Sequence, residues 1–269
     1  MSTALVLGGG GPLGIAWEAG LLTGLARRGG LARPDRVVGT SAGSVVGATL
    51  AAGLDLTALP EKTSRPLTLA PNASADIEPL MTLAAEEAGP AEKLARIGEY
   101  ALAAETVTES GYLGLPLFAA FAGVPWPDTF RCTALDISTR RLRVWDANTG
   151  PGLATALAAS CAVPGLFPPV TVNGAKHIDG GVLSPLNAAL GAGHDHVVVV
   201  SCFTLTGPGA AEIDQLRPGG SQVTLIEPSQ DFLILSDFGT GVMNTAHVPD
   251  AYQAGLRQSG TMPAQLPPA

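Results

Sequence analysis

Charge is scarce in this 269-residue chain, and positive charge scarcest: 15 lysines and arginines face 23 acids, giving a formal net charge of −8. A nucleic-acid-binding protein carries a basic stripe, whereas the densest basic cluster here is only Arg140, Arg141 and Arg143. Nucleic acid is therefore excluded as an expected partner. Attraction to anionic lipid through net charge is disfavoured for the same reason, so any membrane-surface contact is expected to be transient and hydrophobic. Cysteine is scarce as well. Cys132, Cys161 and Cys202 are odd in number, widely separated and set in apolar segments, which predicts buried thiols rather than a disulfide framework. No ligand spacing suits a metal, and none is expected. No apolar run approaches the roughly 18 residues of a membrane-spanning helix, and Met1-Ser2-Thr3 lacks the basic stretch of a signal peptide. A cytoplasmic protein is the expectation.

What the chain has is apolar material, 46% of its residues, enough for the core of one α/β domain with an insertion. Residues 4–7 read as a buried strand ending in Gly8-Gly9-Gly10-Gly11, with Ile15, Trp17, Leu21, Leu22 and Leu25 spaced as a helix of about four turns. Residues 36–39 form a second strand, Thr40-Ser41-Ala42-Gly43 a tight corner, and residues 44–52 a small-residue helix closed by Gly53. Strand, turn, helix repeated twice implies a parallel sheet with right-handed crossovers. The prolines and the helix at 90–105 between residues 54 and 126 suggest a helical cap inserted into the core. Alternating runs at 129–137 and 141–146 predict a hairpin, residues 153–160 a helix, and Asn173-Gly174 the turn of a second hairpin. A helix is expected near 185–190 and strands at 197–203 and 223–226. One domain over 1–260 and a loose tail over 261–269 complete the expectation.

Three motifs carry chemistry. Gly39-Thr40-Ser41-Ala42-Gly43 fits G-x-S-x-G, a strand-to-helix corner that exposes a serine hydroxyl while glycines let neighbouring backbone pass. Ser41 would otherwise simply cap its helix. Gly9–Gly14 fits G-x-G-x-x-G. A dinucleotide site needs an acid after the second strand, but Asp35 precedes it; a P-loop needs Gly-Lys-Ser/Thr, but Gly14 is followed by Ile15. Two readings remain: an oxyanion hole built from backbone N–H groups of Gly9, Gly10 and Gly11, with Gly10 and Gly11 the better placed, or simply a tight strand-to-helix turn. Asp179-Gly180-Gly181 puts a carboxylate at a strand end. Acyl transfer needs a nucleophile, a base and an oxyanion site, and Ser41, Asp179 and the glycine turn are candidates for all three.

These motifs, in this order, resemble the patatin-like phospholipase family. A fourth block from Ala159 to Val170, with Ser160, Pro164 and Phe167-Pro168-Pro169, is similar to the one that family carries before its aspartate. The resemblance covers roughly residues 4–53 and 129–203. It implies a three-layer α/β/α fold with a mostly parallel central sheet, a Ser41–Asp179 dyad without histidine or cofactor, and a lipid or other acyl-ester substrate. The motif glycines would be Gly14, Gly39, Gly43, Gly180 and Gly181. One position departs: the Arg or Lys usual before the last glycine of the first motif is Leu13 here, which together with the net charge predicts a preference for neutral esters over anionic phospholipids. The alternatives are a catalytically silent lipid-binding protein on the same fold and a Ser41-Asp179-His247 triad. His247 is expected at the surface, His194 and His196 in a solvated loop, and His177 turned out of its strand. The run Leu113, Leu115, Leu117, Phe118, Phe121, Val124 and Trp126 is the candidate acyl wall or lid, with Phe167 as a pocket lip.

Overall fold

The computed structural model describes residues 1–30, 33–66, 69–71 and 76–263. Its centre is an eight-stranded sheet in the order β5-β6-β3-β2-β1-β7-β8, with β4 also paired to β3. Strands β1 (Thr3–Leu7), β2 (Arg36–Gly39), β3 (Phe130–Asp136), β7 (His196–Val200) and β8 (Gln222–Ile226) run parallel to one another. Strands β4 (Arg141–Trp145), β5 (Val170–Val172) and β6 (Ala175–Asp179) add antiparallel pairs at the β3 end. β1 and β7 are buried along their whole length, as continuous apolar strands are when helices cover both faces.

The pleat divides the core. Leu5, Leu7, Val198 and Val200 join the principal cluster with α1 (Gly11–Arg27), α2 (Ala42–Ala51), α8 (Leu153–Ser160) and α11 (Val248–Ser259). Ala4, Val6, Val197 and Val199 face the other way, against α9 (Gly207–Leu216) through Ile213 and Leu216. Helices on both faces of a mostly parallel sheet make the fold α/β/α. α1 and α11 lie unusually close, because Gly20 and Gly255 leave room where a Cβ would strike the backbone of Tyr252 and of Trp17.

Between α2 and β3 lie α3 (Leu59–Thr63), α4 (Glu78–Ala85), α5 (Pro90–Ala103), α6 (Glu109–Leu113) and α7 (Pro116–Ala119). This segment is helical as its sequence suggests, and its Leu59, Tyr112, Phe118 and Phe121 enter the principal core. α10 (Gln230–Leu235) precedes α11. The second hairpin turns at Asn173 and Gly174, both at positive φ, the backbone that a two-residue turn between twisted strands requires.

Some expectations change. The helix near 185–190 is a short 3-10 turn, Ala188–Gly191, entered through left-handed Asn187, and the strand expected to reach residue 203 stops at Val200. α9, α10 and α11 were not anticipated from the sequence; α11 buries Val248, Ala251, Ala254, Gly255 and Ser259, a face at helical spacing made mostly of small residues. All three cysteines are free, Cys132 and Cys202 buried and Cys161 half-buried. Most of the tail over 261–269, residues 264–269, lies outside the described residues. Among the described residues no helix is long and apolar enough to cross a membrane.

Candidate active site

Strand register brings the motifs together. Leu7 pairs with Gly39, and Gly39 with Cys132. Two residues further on, at the same level, come Gly9 after β1, Ser41 after β2 and Ala134 on β3. Ala134 pairs with Asp179 at the end of β6. The glycine turn, the serine corner and the aspartate thus share one level of the sheet.

Ser41 sits at φ 53, ψ −119 before α2, a backbone region that non-glycine residues occupy only when surroundings hold them there. The holding contacts are local. The Ser41 N–H donates to Ser160 Oγ at 2.9 Å, and Ser44 Oγ and Cys161 Sγ donate to the Ser41 carbonyl at 2.6 and 3.2 Å. The flanking glycines are needed for space: a Cβ on Gly39 would collide with Ser44, and one on Gly43 with the Leu7 carbonyl. Gly9 lies against Ser41, where a Cβ would come within 3.9 Å of Oγ.

Asp179 is 5% exposed. Burial raises its carboxyl from 3.8 to about 7, while the Ser41 side chain and the Gly181 N–H, donating at 2.7 Å, pull it back. Gly180 passes Thr133 closely, with 2.6 Å left between a built Cβ and Oγ1. Beneath both residues Thr40 and Thr133 share a 2.8 Å hydroxyl bond, and Asn187 Nδ2 donates to Thr40 Oγ1 at 3.0 Å. This buried polar layer fixes the corner from below.

The amides of the glycine turn are not equivalent. Gly9 donates its N–H to the Pro185 carbonyl at 2.8 Å, so the sequence expectation that Gly9 helps bind an oxyanion is corrected: its amide is spent. Gly10, Gly11 and Ala42 have no backbone acceptor among the described residues, and Gly11 and Ala42 line the cavity. Gly10 and Gly14 pack on Cys202, with 2.5 and 2.9 Å from a built Cβ to Sγ. Behind them Glu18 is fully buried, its Oε1 3.7 Å from Cys202 Sγ and its Oε2 unpartnered. Burial pushes that carboxyl well above its ordinary range, against the opposing pull of the Cys202 side chain and the Gly8 backbone.

Ser41 opens into a cavity of about 280 Å³. Leu115, Leu117, Phe118 and Phe167 line it, together with Tyr112 and Met243. Tyr112 stacks on Phe167 with ring centres 4.8 Å apart and donates its hydroxyl to the Ala158 carbonyl at 3.1 Å. Of the candidate acyl wall, Phe121 is core, and Leu113, Val124 and Trp126 pack half-buried against it. Leu13 is fully buried and does not face the cavity. None of the four histidines lines it either. His247 ends a 3-10 turn before α11. His177 and His196 depart from expectation by being buried: His177 packs on Trp145 at 5.0 Å, and His196 bonds Thr224 Oγ1 at 2.9 Å. Asp35, the acid weighed for a dinucleotide site, accepts from the Thr3 N–H at 2.7 Å. That bond ties the opposite end of β1.

The family model described as patatin-like phospholipase matches residues 5–190, the span that contains Ser41, Asp179 and the glycine turn. The chain belongs to the patatin-like phospholipase family. Two solved structures are similar at low identity. VipD from Legionella pneumophila is 14% identical with a TM-score of 0.44, over 93% of this chain and 67% of that one. The type III effector protein ExoU is 19% identical with a TM-score of 0.37, over 97% of this chain and 54% of that one. The chain therefore spans about half the length of ExoU. No curated protein matches it. Within this patatin-like site, sequence reasoning missed Asn187, Tyr112 and the cavity-lining Lys62 and Arg65. Ser160 and Cys161 lay inside a motif already noted, without an assigned role.

Proposed function

We propose that the protein is a serine acyl-ester hydrolase of the lipase or phospholipase type, with Ser41 as nucleophile and Asp179 as its base. The amides of Gly10, Gly11 and Ala42 are the oxyanion donors. The observation that carries this reading is the strained Ser41 corner beside a carboxyl that burial has raised to about 7. An aspartate at its ordinary value of about 3.9 is a weak base for a hydroxyl, and burial narrows that gap.

Asp179 takes the hydroxyl proton as Ser41 Oγ bonds the ester carbonyl carbon, and the carbonyl π pair moves onto oxygen. The tetrahedral intermediate collapses, the C–O bond to the alcohol breaks, and Asp179 returns its proton to the leaving oxygen. Water then attacks the acyl-serine with the same base, releasing the carboxylic acid and free Ser41. A single oxyanion donor is worth roughly 3–4 kcal/mol, and this mechanism leans on those amides because no imidazole shares the work. The acyl chain lies along Leu115, Phe118 and Phe167, so the segment between α2 and β3 supplies the substrate wall. A fluorophosphonate should label Ser41 alone, because an activated hydroxyl beside an oxyanion site reacts readily. Peptide mapping that finds the adduct elsewhere, or none, overturns the assignment. Ser41→Ala should abolish turnover of p-nitrophenyl esters.

A further inference from the structure

The segment that follows β6 touches all three parts of the Ser41 site. It begins at Asp179, whose Oδ1 accepts the Gly181 N–H at 2.7 Å. Further on, the Pro185 carbonyl accepts the Gly9 N–H at 2.8 Å, and Leu186 lies so close to Gly8 that a built Cβ there would stand 2.9 Å from its Cδ2. The segment then reaches the serine corner through Asn187, 6% exposed, whose Nδ2 donates to Thr40 Oγ1 at 3.0 Å. The same nitrogen donates to the Ser184 carbonyl at 2.9 Å and reaches the Gly180 carbonyl at 3.5 Å. Carbonyls on that side repel the amide oxygen, so the orientation of the Asn187 side chain is fixed. The direction of the next bonds follows. Thr133 gives its hydroxyl proton to the Gly39 carbonyl at 3.3 Å, so Thr40 donates to Thr133 at 2.8 Å and accepts from Asn187. Asn187 itself stands at φ 53, ψ 41, a left-handed backbone that asparagine tolerates better than most side chains. Ser184 Oγ accepts the N–H groups of Leu186 and Asn187 at 3.2 and 2.9 Å and holds it there.

We infer that residues 179–187 act as one clamp that sets base, oxyanion turn and nucleophile relative to one another, with Asn187 as its positioning residue. The clamp rests on these bonds, and its catalytic consequence rests on the hydrolase reading. Neither Asn187 nor Thr133 lines the cavity, so loss of the clamp is felt in the reacting geometry and not in binding of the acyl chain. A displacement of about 1 Å between reacting groups costs about a hundredfold in rate.

Hydrolysis of p-nitrophenyl octanoate, counted per Ser41 titrated with a fluorophosphonate so that unfolded protein does not enter, tests that consequence. Asn187→Gly keeps the left-handed backbone and removes the side chain; kcat should fall about a hundredfold with KM unchanged. Thr133→Val, which keeps the shape but breaks the chain of bonds, should fall similarly, and Thr133→Ser should retain the wild-type rate. Because both changes break one chain, the double variant should be no slower than the slower single one. A loss that appears in KM, losses that multiply in the double variant, or equal loss from Thr133→Ser and Thr133→Val overturns the positioning role. Amide hydrogen exchange is the arm that needs no turnover. In Asn187→Gly the Gly9 and Gly181 amides should exchange about tenfold faster while β7 keeps its protection. If the ester is inert to wild type but those exchange differences hold, the hydrolase reading falls and the clamp stands. If the ester is turned over and exchange at Gly9 and Gly181 is unmoved, the clamp falls and the hydrolase reading stands.

Discussion

Replacing Asp179 with asparagine should make the protein inactive and more stable, with the gain depending on pH. Below pH 3.8 the carboxyl is protonated in the folded and the unfolded chain alike. Between 3.8 and about 7 only the unfolded chain releases the proton, so stability falls as pH rises. Above about 7 both states release it and the cost is fully present. At about 1.36 kcal/mol per pH unit, a displacement from 3.8 to about 7 amounts to about 4 kcal/mol. Asparagine carries no charge to desolvate, and its Oδ1 can still accept the Gly181 N–H that Asp179 accepts at 2.7 Å. Urea unfolding of both proteins at pH 4, 6 and 8 should therefore show near-equal midpoints at pH 4 and an advantage of about 2–4 kcal/mol for Asp179→Asn at pH 8. A difference that is constant across pH, or a variant less stable at pH 8, refutes the reasoning that burial sets this carboxyl.

With Asp179 as the proposed base, kcat/KM for a neutral ester should rise about tenfold per pH unit until the Asp179 carboxyl ionises near pH 7 and then level off, and an inflection near pH 4 would show that Asp179 is not held high. Gly43→Ala should lose activity and about 3 kcal/mol of stability, because the new methyl meets the Leu7 carbonyl; wild-type thermal stability with full activity would contradict the close packing of the corner. Leu13→Arg should lower thermal stability, and with it activity on neutral and anionic substrates alike, since the side chain enters the core at 0% exposure and a buried unpaired charge is costly. A selective gain on anionic substrate in that variant would mean that position 13 reaches the cavity.

Much of this molecule is local and was readable from the chain. Strand, glycine turn and helix follow one another at residues 3–27 and 36–51 as the hydrophobic periods predict, and β3–β4 and β5–β6 are hairpins whose turns lie within a few residues. The serine corner was legible because Gly39 and Gly43 are needed for backbone to pass it. These features depend on neighbours in sequence, and local sterics decide them. Other features depend on what is distant. Sequence made Asp179 a candidate, but its level with Ser41 comes from the β2–β3–β6 register, which spans more than 130 residues of chain. Gly9, Gly10 and Gly11 look alike in sequence, and only the approach of Pro185 uses up the first amide. His196 follows Gly193-His194-Asp195 as a loop residue would, yet β1 and β8 pair on either side of it and bury it. Leu13 turns into the core while Lys62 and Arg65 turn toward the cavity. A residue's type limits what it can bond, but burial, hydrogen-bond occupancy and facing direction belong to pairs of segments, and the packed structure alone brings those pairs together.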